Sequence, residues 1–161
     1  FFFKQKTAYE IYQCDWSSDV CSSDLVARLR RLVGFATVNP PGDHYDAVTR
    51  WLAGEMAAVG LRTRRYTVPR ALLKKHLPAA QLGYPRYNLL GKLPAPGAKK
   101  TVHFNAHYDV VPVSGAWRHG SAFSGAVERG WIYGRGTADM KGSIASLLLA
   151  LQALQIGRAH V

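Results

Sequence analysis

Cysteine and acidic residues are scarce in this chain, and their scarcity excludes several classes of protein. The 161 residues include two cysteines, two methionines and ten acidic residues against 21 Lys and Arg. Both cysteines, Cys14 and Cys21, lie near the N-terminus, so the remainder can form neither a disulfide framework nor a thiolate zinc cluster. No apolar run approaches the roughly 20 residues that span a bilayer, so we predict no membrane partner.

Both ends of the chain resemble translated sequencing adapter rather than natural protein sequence. Residues 19–25 can be encoded by GACGTGTGCTCTTCCGATCT, and the complementary strand of this DNA encodes the end of Gln155 and residues 156–161. Residues 4–11 can likewise be written as adapter-like DNA. We therefore expect residues 1–25 and 156–161 to be adapter-derived and base the fold prediction on residues 26–155. This part carries 18 basic and six acidic residues, a net charge of +12, and is long enough for one modest domain.

Within this part, helical and strand patterns alternate, which is typical of an α/β protein. Residues 26–35 predict a short helix that ends before the turn Asn39-Pro40-Pro41-Gly42. Asp43 is a candidate N-cap for a second helix, and Gly60 ends it. The apolar stripe of this helix comprises Val48, Trp51, Leu52, Met56 and Val59.

The rest of the pattern predicts three strands, a helical turn, a hairpin and a final helix. The strands cover residues 61–68, 87–93 and 101–106, the helical turn 70–76, the hairpin 127–133 and the helix 143–154. The final helix is apolar nearly all round, which predicts burial. We expect a mixed sheet flanked by helices.

Two short motifs carry the candidate chemistry. His107 and Asp109 follow the predicted strand 101–106, and side chains two residues apart on a strand project to the same side. Because a metal-bound imidazole usually donates its other ring N–H to a carboxylate, we expect His107 to bind metal and Asp109 to hold its ring. Asp139 follows a glycine-rich turn and precedes an apolar helix. A carboxylate in such a loop can bridge two cations about 3.5–4 Å apart, as in two-metal hydrolases.

These motifs resemble the zinc-dependent deacylases and exopeptidases that include acetylornithine deacetylase, succinyl-diaminopimelate desuccinylase, aminoacylase and glutamate carboxypeptidase. The resemblance extends over nearly all of residues 26–155. It is carried by Asn39-Pro-Pro-Gly42, Tyr87-Asn-Leu-Leu90, His107-Tyr-Asp-Val-Val-Pro112, Trp117, Phe123 and Ile132-Tyr-Gly-Arg-Gly-Thr-Ala-Asp-Met-Lys-Gly142. Ala106 and Ala122 depart from the family pattern, but neither is a ligand position.

The resemblance implies a role for each motif residue. His107 would be a ligand of one metal, Asp109 the catalytic carboxylate that holds its ring, and Asp139 the ligand that bridges both metals. A cis peptide would follow Asp139. The resemblance also implies two Zn²⁺ in a complete site, with Co²⁺ as an alternative, and a cytoplasmic enzyme that removes the acyl group from a small N-acyl amino acid, as in amino-acid biosynthesis.

Several parts of the family's active site have no counterpart in this sequence. The family's paired glutamates, a further acidic ligand, a late histidine and a smaller domain lie downstream of the resemblance. Residues 26–155 are therefore predicted to be a truncated catalytic domain, the N-terminal part of a two-metal exopeptidase-like domain, and inactive alone. The parent protein would form a homodimer through the smaller domain.

Three alternatives remain open at this level. The parent could be a metallo-exopeptidase that acts on short peptides, as a dipeptidase or carboxypeptidase does. It could also be a catalytically dead relative. The net charge of +12, with tyrosines among the arginines and lysines of residues 62–100, would also suit a nucleic-acid-binding module, but no binding motif accompanies it, so we predict no nucleic-acid partner.

Other polar residues have simpler interpretations. His103 is in phase with His107 but deeper in the predicted strand, which favours a core histidine. His44, His76 and His119 lie in turn-like surroundings, so solvent exposure is expected. Arg135 and Lys141 flank the candidate site, where they could touch substrate or support the loop, and support is the simpler expectation.

Overall fold

Helices and small sheets make up the computed structural model, which describes residues 3–4 and 18–159. In chain order the elements are β1 (Phe3–Lys4), α1 (Ser18–Gly34), α2 (Tyr45–Ala58), β2 (Arg62–Thr67), α3 (Arg70–His76), β3 (Tyr87–Lys92), β4 (Ala126–Glu128), β5 (Trp131–Tyr133) and α4 (Gly142–Ala159). A 3₁₀ turn forms at Ala79–Gln81 and a π-type turn at Thr137–Lys141. The predicted α/β class is confirmed. Across the described ranges, no helix has both the length and the apolar character to cross a bilayer.

The core lies where α1 meets α4. Leu29, Leu32 and Val33 of α1 are buried together with Ile144 and Leu148 of α4 in one hydrophobic cluster. Burial of such side chains from water is the main term that stabilises a small domain.

Both helices differ from the sequence prediction. The first begins at Ser18, runs across the predicted boundary at residue 25, and buries Leu25 in the core. Helix α4 buries Ile144, Ala145 and Leu148, whereas Leu154 is 48% exposed. Its apolar character all round therefore overstated its burial.

Helix α2 shows which end signals in the sequence were correct. The residue before it is His44, in the left-handed region at φ 57°, with no side-chain capping bond, so Asp43 as N-cap is wrong. Asp43 instead belongs to the preceding turn, where its N–H donates to the Val38 carbonyl at 3.1 Å. Gly60 follows the helix at φ +82°, as predicted for a stop signal.

Two small antiparallel sheets contain the strands. Strands β2 and β3 pair from Arg62 opposite Lys92 to Thr67 opposite Tyr87, and α2 packs against them. Strands β4 and β5 form the predicted hairpin, and β1 pairs with the outer side of β5.

The predicted strand at residues 101–106 is wrong, because this segment has no regular structure. Val102 and Phe104 are 76% and 61% exposed, so the apolar alternation does not face a core. A strand needs a neighbour to satisfy its backbone groups, and among the described residues the nearest pairing is a single parallel bridge between Val38 and Val110. The alternation of apolar and polar residues at 101–106 therefore fits a strand, but the described residues provide no neighbouring strand for it to pair with.

Asp46 joins α2 to the β2–β3 sheet. Its carboxylate accepts from Arg50 and from Arg65, each at 2.8 Å. The hydrogen bond from Arg50, supported by the one from Arg65, lowers the pKa of Asp46 below its usual value. Since this carboxylate is exposed, water and salt screen both pairs.

Candidate metal centre

The imidazole ring of His107 lies between two carboxylates. Its Nδ1 is 3.2 Å from Oδ1 and 3.1 Å from the backbone oxygen of Asp109. On the opposite edge, Nε2 is 3.0 Å from Oδ1 of Asp139. The structure thus brings together all three residues that the sequence singled out, although Asp139 is 30 residues beyond Asp109.

A neutral imidazole cannot donate a hydrogen bond to both carboxylates. When Nδ1 carries the proton and donates it to Asp109, the lone pair of Nε2 faces a second acceptor, Oδ1 of Asp139. Two acceptors about 3 Å apart repel each other unless a proton or a metal ion neutralises them. The pair of ring contacts therefore leaves Nε2 and Asp139 ready for a positive charge.

Asn39 fixes the Asp109 carboxylate. Its Nδ2 donates to the second oxygen, Oδ2, at 3.0 Å, which leaves Oδ1 for the histidine. The backbones are joined as well: the Asn39 N–H donates to the Val110 carbonyl, and the Val110 N–H donates to the Thr37 carbonyl. The sequence predicted a turn at Asn39 and placed it in a motif shared with the family, but it predicted no contact with Asp109.

The loop that carries Asp139 is closed by local contacts. Gly136 adopts φ +85°, and its carbonyl accepts from the Lys141 N–H at 2.9 Å. The peptide bond between Asp139 and Met140 is cis, as the family resemblance implied. The side chain of Asp139 is 87% exposed, so its carboxylate is accessible from solvent.

Lys141 anchors this loop to the end of α1. Its side chain is fully buried, and Nζ donates to the Phe35 carbonyl just beyond α1 at 2.7 Å. Burial lowers the pKa of Lys141 to about 8, although the charge of Asp109 acts in the opposite direction. The contact agrees with the expectation that Lys141 supports the loop.

The carboxylates also shape the proton affinity of the surrounding groups. Partial burial alone would lower the pKa of His107, but the hydrogen bonds and charges of Asp109 and Asp139 outweigh it and raise this pKa. Burial, with the charge of Asp109, raises the pKa of Tyr108 to about 12. The neutral Tyr108 hydroxyl donates to the Tyr87 carbonyl at 2.7 Å, and the Tyr108 ring packs edge-on against Tyr45.

An open cleft of about 550 Å³ contains the three site residues. Its wall also includes Asn39, Trp117, Ile132, Tyr133, Arg135 and the glycine-rich loop up to Thr137. His103 is not part of it: the residue is exposed, so its interpretation as a core histidine is wrong. The cause is the missing strand at 101–106.

Two of the three residues have donor atoms suited to zinc. Zinc ligands about 2.0–2.1 Å from one tetrahedral ion lie about 3.3 Å apart, close to the 3.0 Å between Nε2 of His107 and Oδ1 of Asp139. Within residues 3–4 and 18–159, however, no cluster of three or more His, Cys, Asp or Glu could hold a metal. The donor set fits zinc in kind but is incomplete in number.

Comparison with known proteins places the same residues in one family. Residues 103–159 match the family model of peptidase family M20/M25/M40. The chain is similar to succinyl-diaminopimelate desuccinylases: 40% identical over 101 residues to that of Methylobacterium radiotolerans (62% of this chain, 24% of the relative) and 33% over 135 residues to that of Xanthobacter autotrophicus (83% and 31%). A third, from Nitrobacter hamburgensis, is 52% identical over 60 residues (36% and 15%). The chain thus spans less than about a third of the length of these relatives.

Proposed function

Because this chain belongs to peptidase family M20/M25/M40, we propose that it is part of a metal-dependent hydrolase that removes the acyl group from an N-acyl amino acid. The three relatives above are named for removal of a succinyl group, which favours an N-succinyl substrate. In this proposal residues 26–155 are the catalytic-domain portion, and residues 1–25 and 156–161 are adapter-derived.

The observation that carries the proposal is the His107 ring held between two carboxylates. We assign Nε2 of His107 and the Asp139 carboxylate as zinc ligands, with Asp139 as the bridge between two ions. Asp109 holds the ring from the other edge so that Nε2 keeps its lone pair. Bound zinc would supply a water of lowered pKa and polarise the scissile carbonyl.

The same geometry predicts that the chain is inactive by itself. Zinc sites normally take three or four protein ligands, and the described part of the chain offers only His107 and Asp139 as direct ligands at this site. A general base must also accept a proton from the attacking water, and within the cleft both carboxylates are already engaged with His107. We expect weak zinc binding and no turnover.

A metallo-exopeptidase of the same family is the second candidate, since the site would serve either amide bond. Substrate comparison distinguishes the two: a complete parent protein that cleaves N-succinyl amino acids over dipeptides is a deacylase. For the nucleic-acid alternative, Arg65 of β2 is already ion-paired with Asp46 at 2.8 Å. No observation favours it.

Zinc titration of the 161-residue chain tests the metal assignment. Replacing the ligands in His107→Ala or Asp139→Ala should abolish measurable binding, whereas His76→Ala, a histidine of α3 remote from the cleft, should bind as the unchanged chain does. Unchanged binding in His107→Ala would contradict the assignment. A parallel assay with an N-succinyl amino acid should show no hydrolysis, and turnover by the purified chain would contradict the predicted inactivity.

A further inference from the structure

A guanidinium group without an acidic partner lies in the wall of the cleft. Arg135 follows β5, and its backbone N–H donates to the Ala122 carbonyl at 2.7 Å, which fixes its position. Its guanidinium carbon is 5.5 Å from the centre of the Trp117 ring, and both residues line the cleft with His107 and Asp139. Among the described cleft-lining residues, Arg135 is the one lysine or arginine.

Two other half-buried arginines have the acidic partner that Arg135 lacks. Arg28 pairs with Glu55 at 3.0 Å, and Arg65 pairs with Asp46 at 2.8 Å. Arg135 has no ion pair with any described residue, and its buried Nε has no hydrogen-bond acceptor; Nη1 of Arg28 also lacks one, but that guanidinium is already paired with Glu55. Because a buried donor on a charged group is costly to leave unpaired, an internal structural role does not account for this guanidinium.

The cation–π contact with Trp117 leaves the N–H groups of the guanidinium available. Such a contact joins a positive charge to an aromatic face and needs no hydrogen-bond acceptor, so these groups can still donate to one. The acceptor that matches this planar fork is a carboxylate, which takes two parallel N–H···O bonds. Neither cleft carboxylate fills this role, since Asp109 and Asp139 are both turned to His107.

We propose that Arg135, positioned over the Trp117 ring, binds a carboxylate of the substrate inside the cleft. The assignment rests on the proposed function and makes it more specific: the substrate carries a free carboxylate besides its scissile amide. Arg135 anchors that carboxylate while the amide is presented toward His107 and Asp139. Sequence analysis favoured loop support for Arg135, whereas the lack of an acidic partner among the described residues favours substrate contact.

A titration with succinate tests the assignment without metal or turnover. In the zinc-free 161-residue chain, the NMR signal of the Trp117 indole N–H is followed as succinate is added, with neutral succinamide as the matched ligand. Arg135→Gln should weaken succinate binding about tenfold or more, the loss expected for one charge-assisted contact. Arg129→Gln is the matched variant, because Arg129 is an 89% exposed arginine of the same hairpin that faces Glu128.

The outcomes separate this assignment from the proposed function. Succinate binding that is weakened in Arg135→Gln, unchanged in Arg129→Gln and absent for succinamide supports it. Equal binding by Arg135→Gln, or no binding by the folded chain, overturns it, while zinc uptake at His107 would still support the hydrolase. If Arg135→Gln does not fold, Arg135→Lys keeps the charge without the planar fork, and undiminished binding by that variant equally overturns the assignment.

Discussion

Gly136 is the position where a single methyl group should disturb both the fold and the metal centre. It starts the loop that carries Asp139, at φ +85°. A Cβ at this position would lie 2.5 Å from Cγ1 of Val110 and 3.3 Å from Cδ of the buried Lys141. The clash therefore falls between the two segments that bring Asp139 and Asp109 to the same histidine.

The expected loss of stability has two separable parts. A residue with a Cβ in the left-handed region costs about 1–2 kcal/mol, and a methyl group forced into packed side chains costs about 1–3 kcal/mol. Gly136→Ala should therefore lower the free energy of unfolding by about 2–5 kcal/mol. Gly130 is the matched control: its φ is +80°, but a Cβ there has no atom within 4 Å, so Gly130→Ala should cost only about 1–2 kcal/mol.

Urea unfolding of the purified chain, followed by far-ultraviolet circular dichroism, measures both values. The difference between the two alanine variants isolates the contacts with Val110 and Lys141. Adding Val110→Ala to Gly136→Ala should recover about 1 kcal/mol or more relative to the sum of the single changes. Equal losses at Gly136 and Gly130, or no coupling to Val110, would refute the packing argument.

Three further predictions follow from other parts of the molecule. Leu32→Ala, at a fully buried position of α1, should lower the free energy of unfolding by about 2–5 kcal/mol, whereas Leu72→Ala, 48% exposed on α3, should change it by less than about 0.5 kcal/mol. Asp46 stabilises the fold only while ionised, and its pKa is lowered in the folded state. The difference in melting temperature between the chain and Asp46→Asn should therefore be present above pH 3.8 and disappear as the pH falls through the lowered pKa; a difference that grew in acid would contradict the ion pairs. Asn39→Ala should weaken zinc binding about tenfold because the carboxylate that orients the histidine loses its donor, while Asn88→Ala, exposed on β3, should not.

The sequence predicted elements that depend on local signals. Helix α2 ends before a glycine in the left-handed region, and the hairpin forms around Gly130 because only a few neighbouring residues decide such turns. The strand at 101–106 failed because alternation shows what a strand would bury, while the pairing itself depends on distant residues. His103 was misassigned for the same reason.

The candidate site was predictable in its residues but not in its support. His107, Asp109 and Asp139 are ionisable or metal-binding types in distinctive motifs, and the structure brings them together. The contacts that hold them are long-range: Asn39 lies 70 residues from Asp109, and the Lys141 ammonium reaches a carbonyl 106 residues away. No spacing rule connects residues so far apart, so these partners became visible only in the folded chain.

We propose that Nε2 of His107 receives a metal ion while Asp109 holds the opposite side of the ring. Long-range ¹H–¹⁵N NMR of the histidine rings tests it directly, because it distinguishes a protonated, a free and a metal-bound nitrogen. On addition of zinc, we predict that Nε2 of His107 changes to the metal-bound signal, that Nδ1 keeps its proton, and that Asp139→Ala abolishes the change. A shift at Nδ1, a response at another histidine, or an unchanged His107 ring would contradict the account.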